Sequence, residues 1–174
     1  VGAGCQSKHF QGYALAFLDE GYVELPPLGN SNSFTIECWI RMFRTPQMKG
    51  TAMSLFSTDD QKVSLVVTSE GHLKFSVKNN MPESVVFDKS SSSLKPLKWY
   101  HVAVAYSMRH AGRTGTGSAT MYLNGQWIQT LGYAARQGST NKVTCGAAKI
   151  GQHFHGILDE FRFFSRALTP AEAS

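Results

Sequence analysis

Short apolar segments with a period of two, each broken by turn-forming residues, run the length of this chain. Phe34, Ile36, Cys38 and Ile40 fall on alternate positions of one segment, with Glu37 and Arg41 among the residues between them. Successive side chains of a strand point to opposite faces, so this spacing buries one face of a strand and turns the other outward. Trp39 and Phe43 break the polarity of that second face. Leu73-Lys74-Phe75-Ser76-Val77 repeats the alternation after a Glu70-Gly71 turn, and Asn124-Gly125 between two apolar runs is the strongest short hairpin signal present. The pattern predicts strands over 13–18, 22–25, 34–43, 52–56, 63–67, 73–77, 84–87, 98–107, 119–123, 127–130, 147–150 and 157–164. Residues 29–33, 111–117 and 132–146 read as loops. Residues 98–107 are apolar on both faces, which predicts a central strand, with Trp99 in the core. Many short strands, regular turns and no intervening helical periodicity predict an all-β fold of two antiparallel sheets packed face to face.

The closing stretch, Gly151 to Ala173, carries the most local information. In 157–164, Ile157, Asp159, Phe161 and Phe163 share a face if the strand is regular, which sets a carboxylate among apolar neighbours. Such a group needs a cation, backbone N–H groups or a metal. Thr169-Pro170-Ala171-Glu172 has the form of a capping box and predicts a short C-terminal helical turn.

Four stretches, in order, resemble the laminin-G-like (concanavalin A-like) jelly-roll domains. Gly156-x-Leu158-Asp159-Glu160-Phe161-Arg162-Phe163-Phe164, running on to Arg166-Ala167-Leu168-Thr169, resembles their closing signature. Tyr13 to Phe17 with Gly21 to Pro26 resembles the opening, Phe34 to Ile40 the F-T-[IV]-E-x-W-[IV] strand, and Trp99 to Val104 with Met121 to Gly125 the paired inner strands. The likeness spans nearly the whole chain and implies a jelly-roll β-sandwich of about a dozen strands. Pentraxins are similar too, but Ala103 and Val104 stand where their strand carries a disulfide partner. What the resemblance implies for function is broader, because this fold carries lectins, receptor-binding modules and glycosidases.

Composition narrows the classes. The chain has 174 residues, 42% hydrophobic and 11% aromatic, as expected of one globular domain over 1–174. It begins without Met or a secretory pattern, which reads as a domain excised from a larger multidomain protein, with that protein's other domains as partners. No apolar run approaches a membrane span, so direct membrane insertion is not expected. The net charge of +5 is scattered, without a basic–aromatic nucleic-acid motif, so nucleic acid is not expected as a partner. Three cysteines, Cys5, Cys38 and Cys145, allow one disulfide at most, with Cys5 and Cys145 the pair in polar surroundings and Cys38 a buried strand residue. The family resemblance points to an extracellular or cell-surface setting. The odd cysteine count and the absence of Asn-x-Ser/Thr point the other way.

The expected function is a non-catalytic binding module, with glycan recognition the first reading and a protein-interaction or structural role the alternative. Glycosidases of the resembled fold place two glutamates around an aspartate on one strand. Here Asp159 and Glu160 are adjacent and Glu37 stands alone, so no catalytic residues are assigned. Aromatic rings stack on sugar C–H faces and amides bond hydroxyls, which makes Trp39, Tyr106, Asn124, Trp127 and Tyr133 the candidate ligand-binding residues. The resemblance also implies a Ca²⁺ site built from loop oxygens and a carboxylate. Its candidates are Asp19 and Glu20 with Asp159, or Asp59 and Asp60. His153 and His155 would share a strand face, but nothing at matching spacing completes a transition-metal set.

Overall fold

A computed structural model describes residues 14–18, 20–45, 52–77, 93–111, 114–135 and 143–173. The strands, in chain order, are β1 (Leu15–Leu18), β2 (Val23–Leu25), β3 (Gly29–Ser31), β4 (Ser33–Met42), β5 (Met53–Thr58), β6 (Val63–Val67) and β7 (Leu73–Val77). They continue as β8 (Trp99–Ala111), β9 (Thr114–Leu123), β10 (Gln126–Ala135), β11 (Val143–Cys145), β12 (Ala148–Ile150) and β13 (His155–Phe164). All pair antiparallel. A six-stranded sheet has the order β1-β13-β4-β8-β9-β10, a five-stranded sheet β2-β12-β5-β6-β7, and β11 pairs with β3 in a two-stranded ribbon.

The alternation of β4 is the key to the core. Phe34, Ile36, Cys38, Ile40 and Met42 are fully buried on its inner face. Register carries that face across the sheet: Ile36 opposes Val104, Cys38 opposes Val102, and Leu158 opposes Ile40. Phe56 and Phe75 of the five-stranded sheet meet it. Phe34 stacks on Tyr106 and on Phe163, with ring centroids 4.9 and 5.5 Å apart, and Phe56 stacks on Phe161 at 5.9 Å. This aromatic spine ties the two sheets together. Each such pair contributes about 0.5–1.5 kcal/mol beyond its buried area.

Several sequence expectations are corrected here. β8 and β9 pair as far as Ala111 opposite Thr114, so 111–117 is mostly ladder rather than loop. β10 likewise runs to Ala135, and β3 pairs with β11 inside two segments expected to be loops. The strand expected over 84–87 lies outside the described residues. β13 is not regular, because a bulge falls between Asp159 and Arg162 with Glu160 at φ 46°. The extra residue reverses the alternation, so Phe161 and Phe163 turn into the core while Ile157 and Asp159 stay on the outer face. The expected C-terminal helical turn is not formed as a helix. The N–H groups of Glu172 and Ala173 both donate to the Thr169 carbonyl, closing a single turn. The Glu172 carboxylate does accept the Thr169 N–H and O–H, as a capping box requires, but it is shared with Arg166. One turn fixes several residues for few hydrogen bonds, which does not sustain a helix.

Candidate functional site

The last nine described residues decide which part of the six-stranded sheet is open. After β13 the chain crosses the outer face of that sheet. Leu168 and Ala173 pack on Ala103, Ala105 and Tyr122 there. Thr35 fastens this strap: its hydroxyl donates to the Arg166 carbonyl and accepts the Leu168 N–H, both at 2.9 Å. Small alanines on the outer face of β8 let the strap approach closely. They also explain why β8 is apolar on both faces.

Beyond the strap no described segment crosses the outer face. Trp39 lies at its centre, 39% exposed, with Asp159 directly opposite on β13 and His101 directly opposite on β8. The Trp39 and His101 rings are tilted together, centroids 5.2 Å apart. Two residues along β4 towards the strap, Glu37 opposes Arg162, and two residues the other way Arg41 opposes Trp99. Trp99 is 41% exposed. The exposed face therefore carries two indoles on diagonal positions, with charged groups in the rows between and beside them.

The charges are ordered. Glu37 is only 4% exposed, and its carboxylate accepts from Arg162 at 2.9 Å. Arg162 also reaches Glu160 at 2.7 Å, and His101 Nε2 lies 4.0 Å from the other Glu37 oxygen. Burial holds the His101 imidazole below its ordinary range, with Glu37 acting against that shift and Arg162 adding to it. The Asn124-Gly125 turn supports the same corner. Both residues have positive φ, as the hairpin signal predicted, and the Asn124 side-chain oxygen accepts the His101 N–H at 2.9 Å.

The ligand-binding candidates named from sequence are thus dispersed. Trp39 is on the open face. Asn124 is exposed, but its carbonyl oxygen is committed to His101. Trp127 is 60% exposed on β10, separated from β4 by β8 and β9, with its indole N–H on Thr130. Tyr106 is 1% exposed between Phe34 and Phe75, a core ring rather than a stacking surface. The Tyr133 side chain lies outside the described residues. Trp99 is corrected in the opposite sense, from core to surface. Val102, Val104 and Tyr106 face inward, so odd-numbered Trp99 must face out. That parity could have been read from β8 had its outer alanines not imitated a second core face.

Of the expected calcium ligands, Asp59, Asp60 and Asp159 each have a partner within the fold. Asp60 accepts from the Thr58 hydroxyl and the Lys62 N–H and pairs with the Lys62 ammonium at 2.9 Å. Burial is the largest single influence and raises its carboxyl, but these bonds and the Lys62 charge together prevail and hold it below the usual range. Asp59 faces Lys149 at 3.5 Å, and one Asp159 oxygen accepts the Glu160 N–H at 2.8 Å. Glu20 sits exposed beyond β1, and Asp19 lies outside the described residues. Among the described residues no group of three or more His, Cys, Asp or Glu side chains comes together that could hold a metal ion. His153 lies in a turn at φ 60° rather than on a strand with His155. Cys38 and Cys145 are buried free thiols, and Cys5 lies outside the described residues.

Comparison with solved structures finds the same fold at low identity. A SAP-like pentraxin from Limulus polyphemus is 18% identical, with a TM-score of 0.61 over 90% of this chain and 75% of that one. The binding domain of botulinum neurotoxin serotype D is 14% identical, with a TM-score of 0.62 over 91% of this chain and 40% of that one. A Trypanosoma rangeli sialidase is 18% identical, with a TM-score of 0.54 over 81% of this chain but 22% of that one. No curated protein sequence matches the chain. A family model matches residues 18–174, and with the two-sheet fold described above it shows that this chain belongs to the concanavalin A-like lectin/glucanases superfamily.

Proposed function

We propose that this domain is a non-catalytic glycan-binding module whose ligand rests on the open outer face of the six-stranded sheet. The observation that carries the reading is Trp39, an exposed indole on a rigid inner strand, tilted against His101 and flanked by hydrogen-bonding side chains. An exposed ring on a strand is held in place by the ladder on both sides, so stacking a sugar on it costs little ordering. The superfamily, which joins lectins and glucanases, supports carbohydrate as the ligand. The carboxylates support binding over hydrolysis. Most glycosidases place two carboxyl groups flanking the bond across a gap, whereas Glu37 is buried and both Glu37 and Glu160 are tied to the same Arg162.

The test is a glycan panel read by thermal shift and titration calorimetry. At least one glycan should raise the melting midpoint of the wild-type domain, as any ligand selective for the native state does. Trp39→Ala should abolish that shift, and Trp127→Ala should leave it. Loss on Trp127→Ala alone would move the site to β10 and overturn the assignment.

A protein-interaction role has its own supporting observation. Leu15 and Leu18 on the edge strand β1 are 46% and 66% exposed. If that edge is the functional surface, no glycan on the panel should shift the midpoint.

A further inference from the structure

The open face contains an acid and a base that do not neutralise each other. Arg41 spends its Nε on the Leu97 carbonyl at 3.3 Å, and its two terminal amino groups have no partner among the described residues. Asp159 spends one oxygen on the Glu160 N–H, and its other oxygen has no partner among them. Both groups are half-buried, and both flank Trp39: Asp159 directly across the ladder, Arg41 two residues along the strand. Diagonal neighbours on a sheet are about 7–8 Å apart, within reach of a long side chain, yet the two groups form no ion pair, which leaves both open to a bridging ligand group. Glu37, Glu160 and Arg162, the other described charges around Trp39, are paired among themselves.

This arrangement discriminates between ligand charges. An anionic sugar would satisfy Arg41 but bring its charge towards Asp159, and a cationic ligand would do the reverse. A hydroxyl both donates and accepts, so the hydroxyls of a neutral sugar satisfy an unpaired carboxylate and an unpaired guanidinium together without bringing a net charge to either. Trp39 and Trp99 are themselves diagonal neighbours, on β4 and β8, which gives two stacking surfaces for successive rings. We propose that the face binds a neutral glycan chain laid from Trp39 towards Trp99, with Asp159 and Arg41 reading its hydroxyls. This rests on the glycan-binding reading above and specifies its ligand class.

The test uses two panels on the same domain. One holds neutral oligosaccharides of glucose, galactose, mannose and fructose. The other holds sialyllactose, hyaluronan fragments and heparin fragments. A neutral oligosaccharide should bind equally at low and high salt, since screening acts on charged ligands. Asp159→Asn and Arg41→Gln should each weaken it about tenfold or more, the scale of one hydrogen bond to a charged group. Trp99→Ala should weaken an oligosaccharide but not its monosaccharide. Melting midpoints near that of the wild type would show that the variants fold, and Trp39→Phe should retain part of the binding that Trp39→Ala loses.

Binding confined to the acidic panel, sensitive to salt and strengthened by Asp159→Asn, would overturn the neutral-ligand inference and leave glycan binding standing. No binding on either panel would overturn both. Neutral binding untouched by Asp159→Asn and Arg41→Gln would overturn the inference by removing its two reading groups.

Discussion

Gly156 shows how little room the six-stranded sheet leaves around β13. A Cβ built there would stand 2.3 Å from the Arg41 carbonyl oxygen and 2.9 Å from the Met42 Cα, both backbone atoms that the ladder holds. Gly156→Ala should therefore destabilise the domain by about 1–3 kcal/mol, the usual cost of overpacking. Gly146→Ala, with nothing within 4 Å of its Cβ, should be near neutral in the same urea titration. His101 makes a pH prediction. Burial holds its imidazole below the ordinary 6.5, so the unfolded chain takes up the proton more readily. Its contribution to stability is complete above pH 6.5 and is lost as the pH falls through the lowered folded value. His101→Gln should flatten that part of the stability profile, measured as urea midpoints across mildly acidic pH. If the slope is unchanged, another group carries it.

At the scale of elements, the strap and the bulge matter most. Thr35→Val keeps the shape of the buried side chain but leaves the Leu168 N–H and the Arg166 carbonyl without their partner. A loss of about 1–3 kcal/mol is expected, with faster proteolysis after Phe164 as the local signature. An unchanged digestion pattern would mean that Leu168 and Ala173 hold the strap by packing alone. The bulge in β13 shows why the site was less legible than the strands. β6 and β7 match the sequence expectation residue for residue, because Val63 to Val67 and Leu73 to Val77 each sit between clear turns. In β13 nothing in Asp159-Glu160 marks an inserted residue: Glu160 at φ 46° occupies a conformation that Gly or Asn would have advertised. Asp159 is expected from sequence on the apolar face and so to need a partner, but the bulge leaves it on the outer face with one oxygen on the Glu160 N–H. Its neighbours there are Trp39 and outer-face polar groups rather than the core phenylalanines. Likewise Glu37, Arg162 and His101 come from three strands far apart in sequence. Their meeting depends on register, which local pattern does not reveal.

For the whole molecule, apolar alternation made the sandwich readable before any coordinates, because burying one face of each strand leaves few architectures. The same core gives a global probe. Cys38 is fully buried, and burial followed by the nearby Glu37 charge pushes its thiol up to about 12; burial chiefly raises Cys145 to about 11. Both should resist alkylation at neutral pH in the native state and react once the domain unfolds, read by peptide mass mapping. Modification of Cys38 at the rate of an exposed thiol would contradict the packing of β4. The antiparallel pairing of β1 with β13 has a mechanical consequence. Leu15 lies opposite Leu158 and Leu18 opposite His155, so the chain enters β1 and leaves β13 at the same end of the pair. Tension applied through those two ends would first peel the strap from its alanine bed. It would then open the β1–β13 hydrogen bonds one after another, like a zip, rather than shear them together. Under load the domain should yield early and in steps, from the end at which the force is applied.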